Sequence, residues 1–172
     1  MTGVVCDATV LIYLAKLRNL SLLEQYFADV FVPQEVVQEV VHAGQTKGYE
    51  DAHRIASAID TFIVVLATEP DENWFDQPIQ TLGVGEKHAI GIAIQRDLRL
   101  LSDDRAARKI ADAFGVPVGG TLYVLLRDLE AGECTLREYI NRLDSLDSMS
   151  FRMSASLYRS ALRAGEEIAK NS

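Results

Sequence analysis

Residues 82–108 read LGVGEKHAIGIAIQRDLRLLSDDRAAR. The pattern predicts a helix, a short turn, a buried strand and a second helix. Gly83 and Gly85 open a tight turn, and Glu86 falls in the first helical turn after it. Ala89, Ile90, Ile92, Ala93 and Ile94 supply an apolar face at helical spacing. Leu98, Leu100 and Leu101 then form a strand-like run that stops at Ser102-Asp103-Asp104. Two adjacent aspartates at the end of an apolar strand repel each other unless a cation, a proton or a helix N-terminus offsets them. Capping of the next helix by Asp103 or Asp104 would account for this pair alone. Other acids at equivalent places in the chain point to a site as well.

The 172 residues are enough for one domain with a proper core, and a charged fraction of 24% is that of an ordinary soluble globular protein. Twenty-five acids against 17 bases give a net charge of −8, which argues against simple electrostatic capture of nucleic acid. It does not exclude a nuclease, because metal ions and a local basic rim override net charge. Cys6 lies in an apolar run and Cys134 is the second of only two cysteines, so no disulfide framework is expected. A reducing, cytoplasmic setting fits best. No apolar run approaches the roughly 20 residues of a membrane span, and no signal peptide is expected at the N-terminus.

The order of elements follows from the same patterns. Val4-Val5-Cys6 is a short strand ended by Asp7, and a helix carrying Val10, Leu11, Leu14 and Ala15 follows. Thr9 either caps that helix or sets its hydroxyl beside Asp7. Ser21 to Phe27 is a short helix, and Val30-Phe31-Val32 a second strand closed by Pro33. The next helix places Val36, Val37, Val40 and Val41 on one arc and Glu35, Glu39 and His42 on the other, ending at Gly44. Tyr49 to Ile59 is amphipathic, with Ala52, Ile55, Ala56 and Ile59 inward, and Phe62 to Leu66 is a third strand. Residues 67–81 read as an exposed acidic loop, in which Trp74 and Phe75 anchor to the body or to a partner. Arg105 to Phe114 is a helix stopped by Gly115, Val116-Pro117-Val118 a last strand, and Gly119-Gly120-Thr121 turns into helix Leu122–Leu129. Short helices follow around Leu136–Leu143 and from Ser154 to about Lys170.

Short apolar strands alternating with helices predict an α/β domain with a mainly parallel central sheet of four to five strands. The division expected is 1–130 for this domain and 131–172 for a helical C-terminal extension packed on it. Functional sites of such sheets lie outside the carboxyl ends of the strands. Asp7 and Asp103-Asp104 follow two different strands there, Glu39 lies one turn into the helix after the second strand, and Glu86 begins the helix before the fourth. Converging carboxylates are what Mg2+ or Mn2+ requires, since both prefer oxygen ligands. Two such ions about 4 Å apart activate water and stabilise a leaving oxygen in phosphodiester cleavage.

The runs VVCDATVLIYLAK, FVPQEVVQEV, GVGEKHAI and LLSDDRAARKIADAFGVPVGGTLYVLL, taken in this order, resemble the PIN-domain family over roughly residues 3–130. The C-terminal helices, with FRMS and LY, resemble one prokaryotic branch of it. The resemblance implies a three-layer α/β/α fold and a metal-dependent ribonuclease, in many members the toxin half of a toxin–antitoxin pair. Asp7 takes the place of the family's first aspartate, and Glu39 that of its glutamate after the second strand. Glu86 stands where most members have aspartate and is one methylene longer. Asp104 fits the aspartate of a Thr-x-Asp motif, with Ser102 for the threonine and Asp103 beside it. The expected catalytic set is therefore Asp7, Glu39, Glu86 and Asp104. The expected metal ligands are Asp7, Glu86 and Asp103 or Asp104. Thr9, Arg105 and Arg108 are the residues expected to meet RNA. An antitoxin protein and a second copy of the chain are the partners expected, and no membrane.

Other residues read as structural. His42, His53 and His88 lack zinc spacing, with His88 on a helix surface. Glu35 reads as a solvated helix start, and Cys6 as a buried thiol with no base nearby. Gly83-Val84-Gly85 lacks the full dinucleotide fingerprint. Gly119-Gly120-Thr121 is turn and cap, with amides free to touch a phosphate. Two other functional classes compete. A non-catalytic module of the same fold would keep the architecture without the chemistry. An aspartate-based phosphatase would want an acid where Thr9 stands, and a phosphate-signalling receiver would want paired acids where Asp7 stands alone.

Overall fold

The computed structural model describes residues 2–46, 48–67, 82–149 and 151–171. The expected acidic loop with Trp74 and Phe75 therefore falls almost wholly outside the described residues. The chain forms two compact units, residues 1–120 and 121–172.

The first unit is built on β1 (Val4–Cys6), β2 (Val30–Pro33), β3 (Ile63–Leu66), β4 (Arg99–Leu101) and β5 (Val118–Gly119), in the order β3-β2-β1-β4-β5. Every pairing is parallel. With α1 (Ala8–Lys16), α2 (Ser21–Tyr26), α3 (Gln34–Val37), α4 (Ala43–Thr46), α5 (Glu50–Ile59), α6 (Val84–Gln95) and α7 (Arg105–Ala113), it is a three-layer α/β/α domain. The chain moves outward from β1 to β2 and β3, then crosses back by α6 to lay β4 on the other side of β1. The order reverses between β1 and β4, and their carboxyl ends flank the crevice where such sheets bind ligands. A receiver domain would instead run 2-1-3-4-5.

Register explains which residues form each layer. Val5 pairs with Phe31 on one side and Leu100 on the other. Side chains alternate between faces along a strand, so these three share a face. There they meet Ala89, Ile90, Ile92 and Ala93 of α6 and Ala107 and Ala111 of α7. Val4, Cys6, Val30, Val32 and Leu101 are buried on the other face, where α1 packs against α5. Burying an Ile or Leu side chain fully is worth about 1.5–3 kcal/mol, so the largely buried Ile90 and Ile92 hold α6 firmly.

Several local expectations are corrected. The helix after Pro33 does not end at Gly44. It passes through a π-helical turn (Gln38–His42) and continues as α4 to Thr46. Gly44 acts by close packing: a Cβ there would stand 2.7 Å from the Cβ of Ala52 on α5. The π turn adds a residue to one helical turn and re-aims the side chains around Glu39. In α5 the third buried residue is Ala58, with Ala56 and Ile59 only half-buried. The last strand begins at Val118, after Val116 and Pro117. A leucine-rich reading of β4 is displaced by one residue, because Asp97 turns through a left-handed conformation at φ 52° and Leu98 still belongs to that turn.

The second unit comprises α8 (Thr121–Glu130), α9 (Leu136–Ser148) and α10 (Ala155–Asn171). Thr135 caps α9 in a reciprocal pair with Glu138, and Ser154 accepts from the Leu157 amide at the start of α10. Val124, Leu125, Leu129, Tyr139, Leu143 and Leu146 form its core. The buried Asp128 is paired with Arg142 at 2.6 Å.

The carboxyl ends of β4 and β5 are fastened from α7. Arg108 Nη1 donates to Ser102 O at 2.9 Å and to Gly119 O at 2.8 Å. Hydrogen bonds from a charged donor are the stronger kind, but this arginine is exposed, so their loss costs about 1–2 kcal/mol. Arg108→Met is expected to lower Tm by roughly 2–8 °C in a thermal melt. An unchanged melt would leave those two bonds without a structural role.

Candidate functional site

Three of the expected acids line one cleft. Its walls are Asp7, Ala8 and Thr9 from the β1–α1 junction, Val36 and Glu39 from the helix after β2, and Gly83, Gly85 and Glu86 from the start of α6. The cleft holds about 270 Å3. Its walls thus come from the segments that follow β1 and β2 and from the start of α6.

Asp7 sits there because its own amide donates to Leu101 O at 3.0 Å, extending the β1–β4 ladder by one step. Its carboxyl then caps α1. Oδ1 accepts from Thr9 Oγ1 at 2.7 Å and from the Val10 amide at 3.2 Å. Oδ2 is buried and has no hydrogen-bond partner of good geometry. With the residue only 1% exposed, burial pushes its pKa from 3.8 up to about 7. The Ser102 and Thr9 hydroxyls and the Val10 amide pull it down, and the charge of Asp103 pushes it up further.

Glu86 is the third residue of α6 and reaches back to accept from the Gly83 amide at 2.7 Å. Its pKa is raised, first by burial, with the charges of Asp104 and Glu39 adding to this while the Gly83 amide opposes it. Asp104 is outside the lining of the cleft but close enough to act on Glu86. It caps α7, accepting from the Ala106 and Ala107 amides at 2.8 Å each. The capping reading of the pair holds for Asp104, whose charge also reaches Glu86. Asp103 is tied to the start of α1, its amide donating to Thr9 Oγ1 at 3.4 Å.

The remaining expected residues divide. The Thr9 hydroxyl is engaged with Asp7 and Asp103, which makes it an orienting group for Asp7. Arg108 has Nη1 on two carbonyls, and Arg105 is exposed on the first turn of α7. Glu35 and His88, read as solvated, lie together instead, with Oε2 and Nδ1 2.7 Å apart and side chains 30% and 16% exposed. No local pattern in the sequence pairs residues 53 positions apart.

Among the described residues, no three His, Cys, Asp or Glu side chains are grouped closely enough to hold a metal ion as they stand. One feature nevertheless fits a cation: the buried Oδ2 of Asp7, which makes no hydrogen bond of good geometry, in a cleft where the charges of Asp104 and Glu39 help to raise the pKa of Glu86. Charge of opposite sign is what this cleft lacks.

An α/β/α domain with an acidic cleft at the carboxyl end of its parallel sheet is the class defined so far. A family model for the PIN domain matches residues 3–167, and the chain belongs to that family. PIN domains are in general nucleases that use divalent metals. The chain has no match among curated proteins. No helix among the described residues is long and apolar enough to cross a membrane.

Asp7 links stability to pH. Its folded pKa is above its ordinary one, so the folded form holds the proton more tightly. The associated stability is fully present below about pH 4 and is lost as pH rises through about 7. Asp7→Asn keeps the oxygen that caps α1 and removes the charge. In EDTA at pH 8 it is expected to melt at or above the wild-type temperature, by several degrees if burial of the charge dominates. At pH 4 the two forms should nearly coincide. A large loss of stability for Asp7→Asn at both pH values would make Asp7 a structural residue.

Proposed function

We propose that this protein is a Mg2+- or Mn2+-dependent endoribonuclease. The observation that carries the reading is the cleft itself: Asp7, Glu39 and Glu86 line it, and one oxygen of the buried Asp7 carboxyl makes no hydrogen bond of good geometry. Asp7, Glu86 and Asp103 or Asp104 would hold the metal, with Glu39 completing the acidic wall. A bound divalent ion supplies Lewis-acid charge at the phosphoryl oxygens and lowers the pKa of water. Thr9 holds the Asp7 carboxyl in one orientation, and the buried Ser102 hydroxyl favours its charged form. An acidic cleft in a chain of net charge −8 repels phosphate by itself, so the acids favour RNA only through the cation they hold. Arg105 and the flanking Lys109, both exposed on α7, lie where they can meet backbone phosphates.

The likeness of the sequence motifs to toxin halves of toxin–antitoxin pairs supports a cellular role of that kind. In it, an antitoxin protein restrains the enzyme in the cytoplasm, and two copies of the chain associate. A second reading, a non-catalytic binding module, is favoured by one observation: Glu86 and Asp104 each use a carboxylate on backbone amides, as purely structural caps would.

Incubation of the purified chain with labelled RNA separates the two. Cleavage with Mn2+ and none with EDTA is expected. Asp7→Asn should lower the rate by more than the ~100-fold that loss of an outer support to a metal ligand brings. Expression of the chain alone should slow host growth, and Asp7→Asn should relieve it. Intact RNA in the presence of bound Mn2+ would favour the binding module.

A further inference from the structure

The contact between α3 and α6 forms one side of the cleft, and two touching points make it. At the first, Gly85 lies against Val36: a Cβ on Gly85 would stand 2.9 Å from Val36 Cγ2. The second is the Glu35–His88 pair. Oε2 and Nδ1 meet at 2.7 Å, within ion-pair distance, and both are shut off from solvent; among the described residues neither atom makes a hydrogen bond of good geometry. Gly85 and His88 are three residues apart on α6 and so face the same way, toward the adjacent residues Glu35 and Val36 of α3.

Glu39 and Glu86 extend from the same two segments. Glu39 follows Glu35 by four residues, just inside the π turn, and Glu86 precedes His88 by two. Both are acids of the cleft and they repel each other. That repulsion acts to part α3 from α6. The contact between the Glu35 carboxylate and the His88 imidazole, one turn away, joins the same two helices.

We propose that Glu35 and His88 are positioning residues, a polar clamp between α3 and α6 that sets the separation of Glu39 and Glu86 across the cleft. The clamp rests on the metal-site reading given above. It touches neither metal nor RNA, and its effect is on how well the acids are arranged to receive a cation. Among the described residues Glu86 is tied by one hydrogen bond, from the Gly83 amide at the cap of α6. The α3–α6 spacing therefore decides where Glu86 can reach.

The test is calorimetric titration of the full chain with Mn2+ alone, beside melts in EDTA. Glu35→Gln and His88→Gln should each weaken Mn2+ binding by about 10–100-fold, with Tm in EDTA within about 4 °C of wild type. The exchange Glu35→His with His88→Glu restores the contact and should recover most of the affinity. If either single variant binds Mn2+ within twofold of wild type, the clamp is overturned while the metal site stands. Weaker binding that follows a matching collapse of the melt in both single variants also overturns it. A wild-type chain that binds no Mn2+ overturns the metal reading, and the clamp's positioning role falls with it.

Discussion

The parallel pairing of β1 with β4 is the constraint on which the rest depends. It joins strands more than 90 residues apart in sequence, and its last rung is the hydrogen bond from the Asp7 amide to Leu101 O. That rung carries Asp7 next to Ser102, Asp103 and Asp104. Because the strand order reverses at this point, helices approach from both directions and leave a gap between them. The cleft is a consequence of the topology, and the acids are the residues that the strand ends and helix starts bring to its rim.

The acids of the proposed site also do structural tasks. Asp7 and Asp104 cap α1 and α7, and Glu86 satisfies the amide that precedes α6. Capping is worth about 0.5–2 kcal/mol at each site, which offsets part of the cost of gathering negative charge. For Asp7 the offset is incomplete: burial outweighs the hydroxyls and the amide, and its carboxyl resists ionisation up to about pH 7. A site that strains its own fold in this way is in keeping with the general tension between stability and function. Binding of a cation would relieve it.

Much of the fold was legible in the sequence, because short apolar strands and helical periodicity are local signals. The α6–β4–α7 unit follows from residues 82–108 almost to the residue, and Asp7 and Asp104 are visible as acids at strand ends. The three-layer arrangement and the PIN-domain membership were legible too, through four motifs in a fixed order. What was not legible came from contacts between distant segments. Gly44 reads as a helix stop, yet it admits Ala52 of α5. The π turn at Gln38–His42 has no periodic signature in so short a helix. Arg108 reads as a free cation, but the carbonyls it ties together meet only once β4 and β5 are paired. Glu35 and His88 each look like surface residues until α3 is laid against α6.

The central claim is that the carboxylates beside the β1–β4 junction form a cation site. Crystals soaked in Mn2+, with anomalous diffraction measured at the manganese edge, test it most directly. The account predicts an anomalous peak in the cleft within ligating distance of Asp7, with Glu86 or the Asp103-Asp104 pair turned toward it. A well-diffracting soaked crystal with no peak in the cleft, or with manganese held only elsewhere on the chain, would contradict it.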